Sequence, residues 1–225
     1  MRKNGTIRLS PSTIGLYKDC KRCFWLKFNG RERPAGIFPS LPSGMDGVIK
    51  KYFDKYRGGM PPELQGRMEG ILMHDLTTLN KWRNWRTGLV YEDKTRNAAL
   101  FGALDDCLEI GDNYAPLDYK TRGFAPKDGG EAYYQHQLDA YTFLLRANNY
   151  KVADFAYLVY YYPEKVEENG VVYFNVEPKK VAVNTDDAKK SFEDAVDFLK
   201  EPEPKVHSYR TSCAYCNWQI NEEFD

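Results

Sequence analysis

The chain has 225 residues, of which 42% are hydrophobic and 15% aromatic. That is enough apolar surface for one folded domain with a sizeable core, and it excludes an intrinsically disordered chain. The 32 basic and 32 acidic side chains cancel, which excludes wholesale electrostatic coating of nucleic acid but leaves room for a local basic groove.

No stretch approaches the roughly 20 apolar residues of a membrane helix, and the opening MRKNGTIRLS lacks the apolar centre of a signal peptide. The expectation is a cytoplasmic protein without a membrane partner. In chain order, Ser10 is a candidate helix cap, and Ile14, Leu16 and Tyr17 predict a helix over roughly 11–28. A Gly/Pro-rich connector follows. The helical pattern resumes through Val48, Ile49, Tyr52, Phe53 and Tyr56, and residues 58–86 read as short helices or loops packed by Trp82 and Trp85.

From residue 88 the apolar period changes to two. GLVYEDKT, AALFGALDDCLEI and YAPLDYKT read as successive antiparallel strands, the last two joined at Gly111-Asp112-Asn113. GEAYYQHQLDAYTFLLRAN is a helix. ADFAYLVYYYP is a strand, Asn169-Gly170 is a hairpin turn, and VVYFNVEP with KKVAV continues the sheet. A last helix starts near Asn184 with Ala188, Phe192, Ala195, Val196 and Leu199 on one face. The order predicts an α/β or α+β domain with a mixed sheet. Its expected division is a mainly helical portion (1–87), a sheet core with the active site (88–200) and a tail (201–225) packing on the N-terminus.

Side chains alternate along a strand, so Asp118 and Lys120 share a face. With 98–110 read as one strand, Asp105 falls on a face with Phe101, Ala103 and Cys107, opposite Leu104, Leu108 and Ile110. A hairpin brings Asp105 to Asp118, and two close carboxylates repel unless a cation lies between them. A divalent ion with oxygen ligands resolves that repulsion, and the Tyr119 backbone carbonyl offers a third ligand. Such an ion lowers the pKa of bound water and polarises a phosphoryl oxygen while an adjacent ammonium stabilises charge, which fits phosphodiester hydrolysis. An isolated D-x-K also occurs by chance as an exposed ion pair. Asp106 is the alternative ligand should a bulge shift the register.

Gly102 to Asp105 (G-x-L-D), Leu117 to Thr121 (L-D-Y-K-T) and Gln137 to Tyr141 (Q-L-D-A-Y) together resemble the RecB-type branch of the PD-(D/E)XK nuclease superfamily. The likeness is to its CRISPR-associated and AddB-like exonucleases with cysteine-bound clusters. It implies a restriction-endonuclease-like core, a mixed central sheet flanked by helices. It also implies Mg or Mn at Asp105 and Asp118, Lys120 as a catalytic residue, and Gln137 with Tyr141 beside the site. Gln137 and Tyr141 are four apart and lie on one helix face. Many members carry a metal-binding His in the early helix; here Asp46, an alternative oxygen ligand, and Lys50, a phosphate contact, occupy that neighbourhood.

Two C-x-x-C pairs, Cys20/Cys23 and Cys213/Cys216, form a four-thiolate set suited to zinc or an iron–sulfur cluster. Phe24, Trp25, Tyr215 and Trp218 flank them, while Cys107 reads as a small strand residue. The resemblance implies [4Fe–4S], although relatives use one early and three late cysteines and this chain has two and two, an arrangement common for structural zinc. The implied function is a metal-dependent DNase on single strands or DNA ends, acting in repair, recombination or CRISPR-related processing. Lys50, Arg122 and Lys127 are candidate nucleic-acid contacts, with Lys51, Arg83 and Arg86 as further cations. The different-class alternative is a nucleic-acid-binding module that keeps the fold without efficient cleavage.

Overall fold

The computed structural model describes residues 2–3, 5–34, 36, 38–205 and 213–216. The chain enters through β1 (Arg2–Lys3) and β2 (Thr6–Leu9). Helices α1 (Pro11–Asp19) and α2 (Lys21–Phe28) follow, divided at Cys20 where one helix was expected. Cys20 is extended (φ −153°, ψ 105°) and serves as the end of one helix and the cap of the next, so the break presents its sulfur at a helix start. Ser10 caps α1 through a reciprocal box with Thr13.

Helix α3 (Ser40–Phe53) runs into a 3-10 turn at Asp54–Tyr56. It buries Ile49 and Phe53 but leaves Val48 63% exposed, so the expected five-residue apolar face is narrower. β3 (Ile71–Leu72) and α4 (Leu76–Arg83) come next. Trp82 is buried against Tyr150 and Tyr114. Trp85 lies 67% exposed, contrary to the expectation that both tryptophans pack.

The region read as one strand, 98–110, is two. β4 (Leu89–Asp93) pairs with β5 (Ala98–Gly102), while β6 (Asp106–Ile110) pairs with β7 (Asn113–Thr121) in another sheet. The first sheet has the order β1-β2-β5-β4, with β2 parallel to β5. The second has the order β3-β6-β7-β8-β9, with β7 parallel to β8 (Phe155–Val166) and β8 antiparallel to β9 (Val172–Ala182). Both sheets are therefore mixed. The chain changes sheets at 103–105, which breaks the alternation: Leu104 joins Cys107 in one core cluster while Leu108 and Ile110 join another.

Helix α5 (Gln135–Ala147), preceded by a 3-10 segment at Gly130–Tyr134, contacts elements of both sheets. Gly102 lets it approach. A Cβ there would lie 2.7 Å from Leu144 Cδ1 and 3.2 Å from Tyr141 Cε1. Helix α6 (Thr185–Phe198) is capped by Asn184, whose side chain accepts from the Asp186 and Asp187 amides, and those two acids favour its N-terminus. It buries Ala188, Phe192, Ala195 and Val196 as expected. Each of the larger apolar side chains contributes about 1.5–3 kcal/mol by leaving water. Both hairpin turns form where expected, with Gly111 (φ 57°) and Gly170 (φ 81°) in the left-handed region. Among the described residues no helix is long and apolar enough to cross a membrane.

Candidate active site

Antiparallel register pairs Asp106 with Leu117. One step further, past the end of β6, Asp105 comes across from Asp118. Both acids thus reach one end of the β6/β7 hairpin, and alternation turns Asp118 and Lys120 to the α5 side of β7 while Tyr119 turns the other way, onto Phe53.

Asp118 is 1% exposed. Its Oδ1 accepts a hydrogen bond from Gln137 Nε2 at 3.1 Å, and its Oδ2 forms an ion pair with Lys120. The same Gln137 accepts from Lys120 Nζ at 3.2 Å through Oε1 and meets the Tyr141 hydroxyl at 2.9 Å through Nε2. The four-residue helical spacing therefore makes Gln137 the brace of both strand groups, and Tyr141 the brace of Gln137. Lys120 also lies 4.7 Å from the centre of the Tyr134 ring. Burial, opposed by Lys120 and reinforced by Asp105, pushes the Asp118 carboxyl up to about 7. Burial, with Asp118 and Asp105 adding to it, raises Tyr141 as well, so its hydroxyl is neutral.

Asp105 lies at the mouth, with its side chain 24% exposed and Oδ1 2.8 Å from Lys50 Nζ. Lys50 also contacts Asp46 Oδ2 at 2.8 Å. The early-helix neighbourhood thus supplies an ammonium that bridges two carboxylates. Arg122 stacks over Phe124, Lys127 is exposed on the following loop, and both lie just beyond Lys120 in the chain.

Asp106 belongs to a different arrangement. Fully buried, it takes Arg57 Nη1 at 2.6 Å, Arg57 Nη2 at 2.5 Å, Arg83 Nη2 at 3.0 Å, its neighbour's amide at 2.7 Å and the Tyr119 hydroxyl. Arg83 further holds Asp54 and the Asp105 carbonyl. Its side chain is 10% exposed, so Arg83 is a buried structural cation rather than the surface phosphate contact expected of it. The sequence reading missed this network, since its members are far apart in the chain and follow no repeat. The acid pair Asp105-Asp106 was its one visible trace.

A buried carboxylate whose charge is held by Lys120 and Gln137, next to a second, partly exposed carboxylate, supplies two of the oxygen donors that a hard divalent cation takes. The four cysteines form a second candidate centre. Their sulfurs all lie within 4.8 Å of one another, with Cys20–Cys216 at 3.6 Å, Cys23–Cys213 at 3.5 Å and Cys23–Cys216 at 3.6 Å. None forms a disulfide. Arg33 Nη2 donates to Cys213 Sγ at 3.1 Å and to Asp19 at 2.9 Å. The fold thus brings together pairs separated by most of the chain, and this set could hold a metal ion. Trp218 lies outside the described residues.

No curated protein matches the chain. A scan against protein-family models matches residues 48–220, a span that contains both acids, Lys120, Gln137 and Tyr141. On that match the chain belongs to the PD-(D/E)XK nuclease superfamily, whose members are in general metal-dependent nucleases acting on nucleic acid.

Proposed function

We propose that the protein is a Mg- or Mn-dependent deoxyribonuclease, an exonuclease on single-stranded DNA or DNA ends, with its centre at Asp105, Asp118 and Lys120. The observation that carries this is the buried Asp118 carboxylate, with Lys120 against one oxygen and Gln137 on the other. Asp118 and Asp105 would hold the cation, with the Tyr119 carbonyl as a third ligand and Asp46 at the margin. When bound, the cation supplies an activated water and a polarised phosphoryl oxygen.

The chain's own residues do the rest. Lys120 places its ammonium beside the scissile phosphate, where it donates to the oxygen gaining negative charge as water attacks phosphorus and the P–O bond breaks. Gln137 fixes the direction of both charged groups, and Tyr141 fixes Gln137. Lys50, Arg122 and Lys127 supply cations toward the backbone on either side. Repair, recombination and CRISPR-related processing are the settings this reading gives the enzyme, with the cytoplasm as its compartment. The resemblance to the RecB-type branch, with its CRISPR-associated and AddB-like exonucleases, rests on the three motifs together.

At the cysteines the spacing supports a single tetrahedral ion. Four thiolates bonded at about 2.3 Å lie about 3.8 Å apart, close to the 3.5 and 3.6 Å separations here. Zinc fits that set better than the [4Fe–4S] cluster the resemblance implies. Metal analysis of anaerobically purified protein decides: zinc in equimolar amount supports this reading, and iron with sulfide overturns it.

One observation favours a second reading. Lys50 sits 2.8 Å from Asp105, where an ammonium offsets the charge a cation would meet. A module that binds nucleic acid without efficient cleavage would have this feature. Labelled single- and double-stranded DNA incubated with Mg, Mn or EDTA separates the two. Metal-dependent shortening from an end supports the nuclease, and binding without cleavage supports the module.

A further inference from the structure

Two cavities meet over the partners of the acid centre. One, of about 620 Å³, lies between α1 and the segment leading into α5 and is lined by Lys18, Arg33 and Tyr133 among others. The other, of about 320 Å³, is lined by Trp85, Phe101, Gly102 and Tyr141. They share Ser12, His136 and Gln137, so they adjoin as one groove lined by the glutamine that braces Asp118 and Lys120.

The groove carries one net positive charge, Lys18 and Arg33 against Asp19, together with exposed aromatic rings, and burial, with Lys18 and Lys120 nearby, holds the His136 imidazole below its ordinary pKa so that it offers a neutral hydrogen-bonding edge. Lys18 is exposed and has no acidic partner within ion-pair distance among the described residues. Its neighbour Asp19 is engaged by Arg33 at 2.9 Å. His136 lies against α1, its ring filling the space that a side chain at Gly15 would occupy: a Cβ there would stand 2.7 Å from Nε2. Glycine at that position therefore opens the place for the imidazole. Tyr133, 77% exposed and edge-on to Tyr134, lines the first cavity, and Trp85, 67% exposed beneath Arg86, lines the second, so each presents a ring to solvent.

We propose that this groove is the track for a DNA single strand, with His136 and Lys18 contacting successive phosphates and Tyr133 and Trp85 stacking bases on either side of the Gln137 crossing. The proposal rests on the nuclease reading above and adds the path of the substrate to it. A positive groove with interleaved aromatic platforms is how proteins hold single strands without reading sequence. A duplex would present its bases to itself, leaving the two exposed rings nothing to stack on.

The test is fluorescence anisotropy of the full chain with 5′-labelled oligothymidylate in EDTA, so that binding is read without cleavage. Tyr133→Ala and Lys18→Ala remove exposed groups and should leave the fold intact, which thermal melts of each variant check first. Each is expected to weaken binding by about tenfold. Lys18→Ala lowers the slope of log affinity against log salt by about 0.7, the loss of one phosphate contact on a single strand, whereas Tyr133→Ala leaves the slope unchanged. Gly15→Ala, which keeps His136 but displaces its ring, weakens binding as His136→Ala does. Lys151→Ala, at the opposite end of β7, binds as wild type. Oligonucleotide binding that is normal in all four groove variants overturns the track and leaves the nuclease reading standing. A folded wild type that neither binds nor cleaves DNA overturns both.

Discussion

Replacing Asp118 with asparagine should stabilise the protein at neutral pH while removing its candidate metal ligand. Burial holds this carboxyl up to about 7, against an ordinary value of 3.8. Well below pH 3.8 both folded and unfolded chains carry the proton, and the group is neutral toward stability. As the pH rises, the unfolded chain ionises first and the folded chain retains its proton, so stability is lost until the pH passes about 7. About three pKa units correspond to a loss of about 4 kcal/mol at full ionisation. Asparagine carries no such penalty and still accepts from Gln137. It leaves Lys120 without its counter-charge, however, so the net gain at pH 8 is smaller than this, and each kcal/mol moves Tm by about 2–4 °C in a chain of this size. Thermal unfolding in EDTA, followed by circular dichroism at pH 4.5 and pH 8, measures the difference. The variant should melt several degrees above wild type at pH 8 and close to it at pH 4.5. A variant that melts at or below wild type at both pH values refutes the reasoning that Asp118 is held as a strained, desolvated acid.

Four further outcomes follow from the same geometry. Saturating Mn should raise the wild-type Tm, by about 2.7 kcal/mol of stabilisation at a hundredfold excess over Kd, and should leave Asp118→Asn unmoved. Asp106→Ala abandons the guanidinium groups of Arg57 and Arg83 in the interior and should cost about 3–5 kcal/mol in urea unfolding. Asp105→Ala, at the exposed mouth, should cost under about 1 kcal/mol, which separates the structural acid from the candidate ligand beside it. Gly102→Val drives a side chain into Leu144 and Tyr141, and the expected cost is about 1–3 kcal/mol, read from the same urea titration.

The grouping of side chains at the candidate site was legible where it is local. Asp118 and Lys120 sit two apart on a strand and Gln137 and Tyr141 four apart on a helix, and those periods alone fix which groups share a face. The hairpin turn at Gly111 then fixes the register that carries Asp105 across to Asp118. What spacing could not give was the change of sheets at 103–105. A continuous run of β-forming residues looks the same whether one strand spans it or two strands in different sheets share it. The short strands at Arg2–Lys3 and Thr6–Leu9 were hidden for a related reason, because β2 owes its place to pairing with β5, about 90 residues away. Arg83 shows the same limit for charge. Its sequence neighbourhood is that of a surface cation, and only the fold reveals the buried carboxylate it neutralises. The cysteines lie at the other extreme, since repeated C-x-x-C spacing announces a shared site even across nearly the whole chain.

On the proposed mechanism Lys120 acts at a phosphodiester beside a cation held by Asp105 and Asp118. Single-turnover cleavage of labelled single-stranded DNA, measured with Mn affinity for the same samples, tests it most directly. The account predicts that Lys120→Ala still binds Mn but loses cleavage by about 10²–10³-fold, the usual cost of removing one group that stabilises transition-state charge, and that Asp118→Asn loses both. Cleavage by Lys120→Ala at the wild-type rate, or by Asp118→Asn with Mn bound as tightly as before, would contradict it.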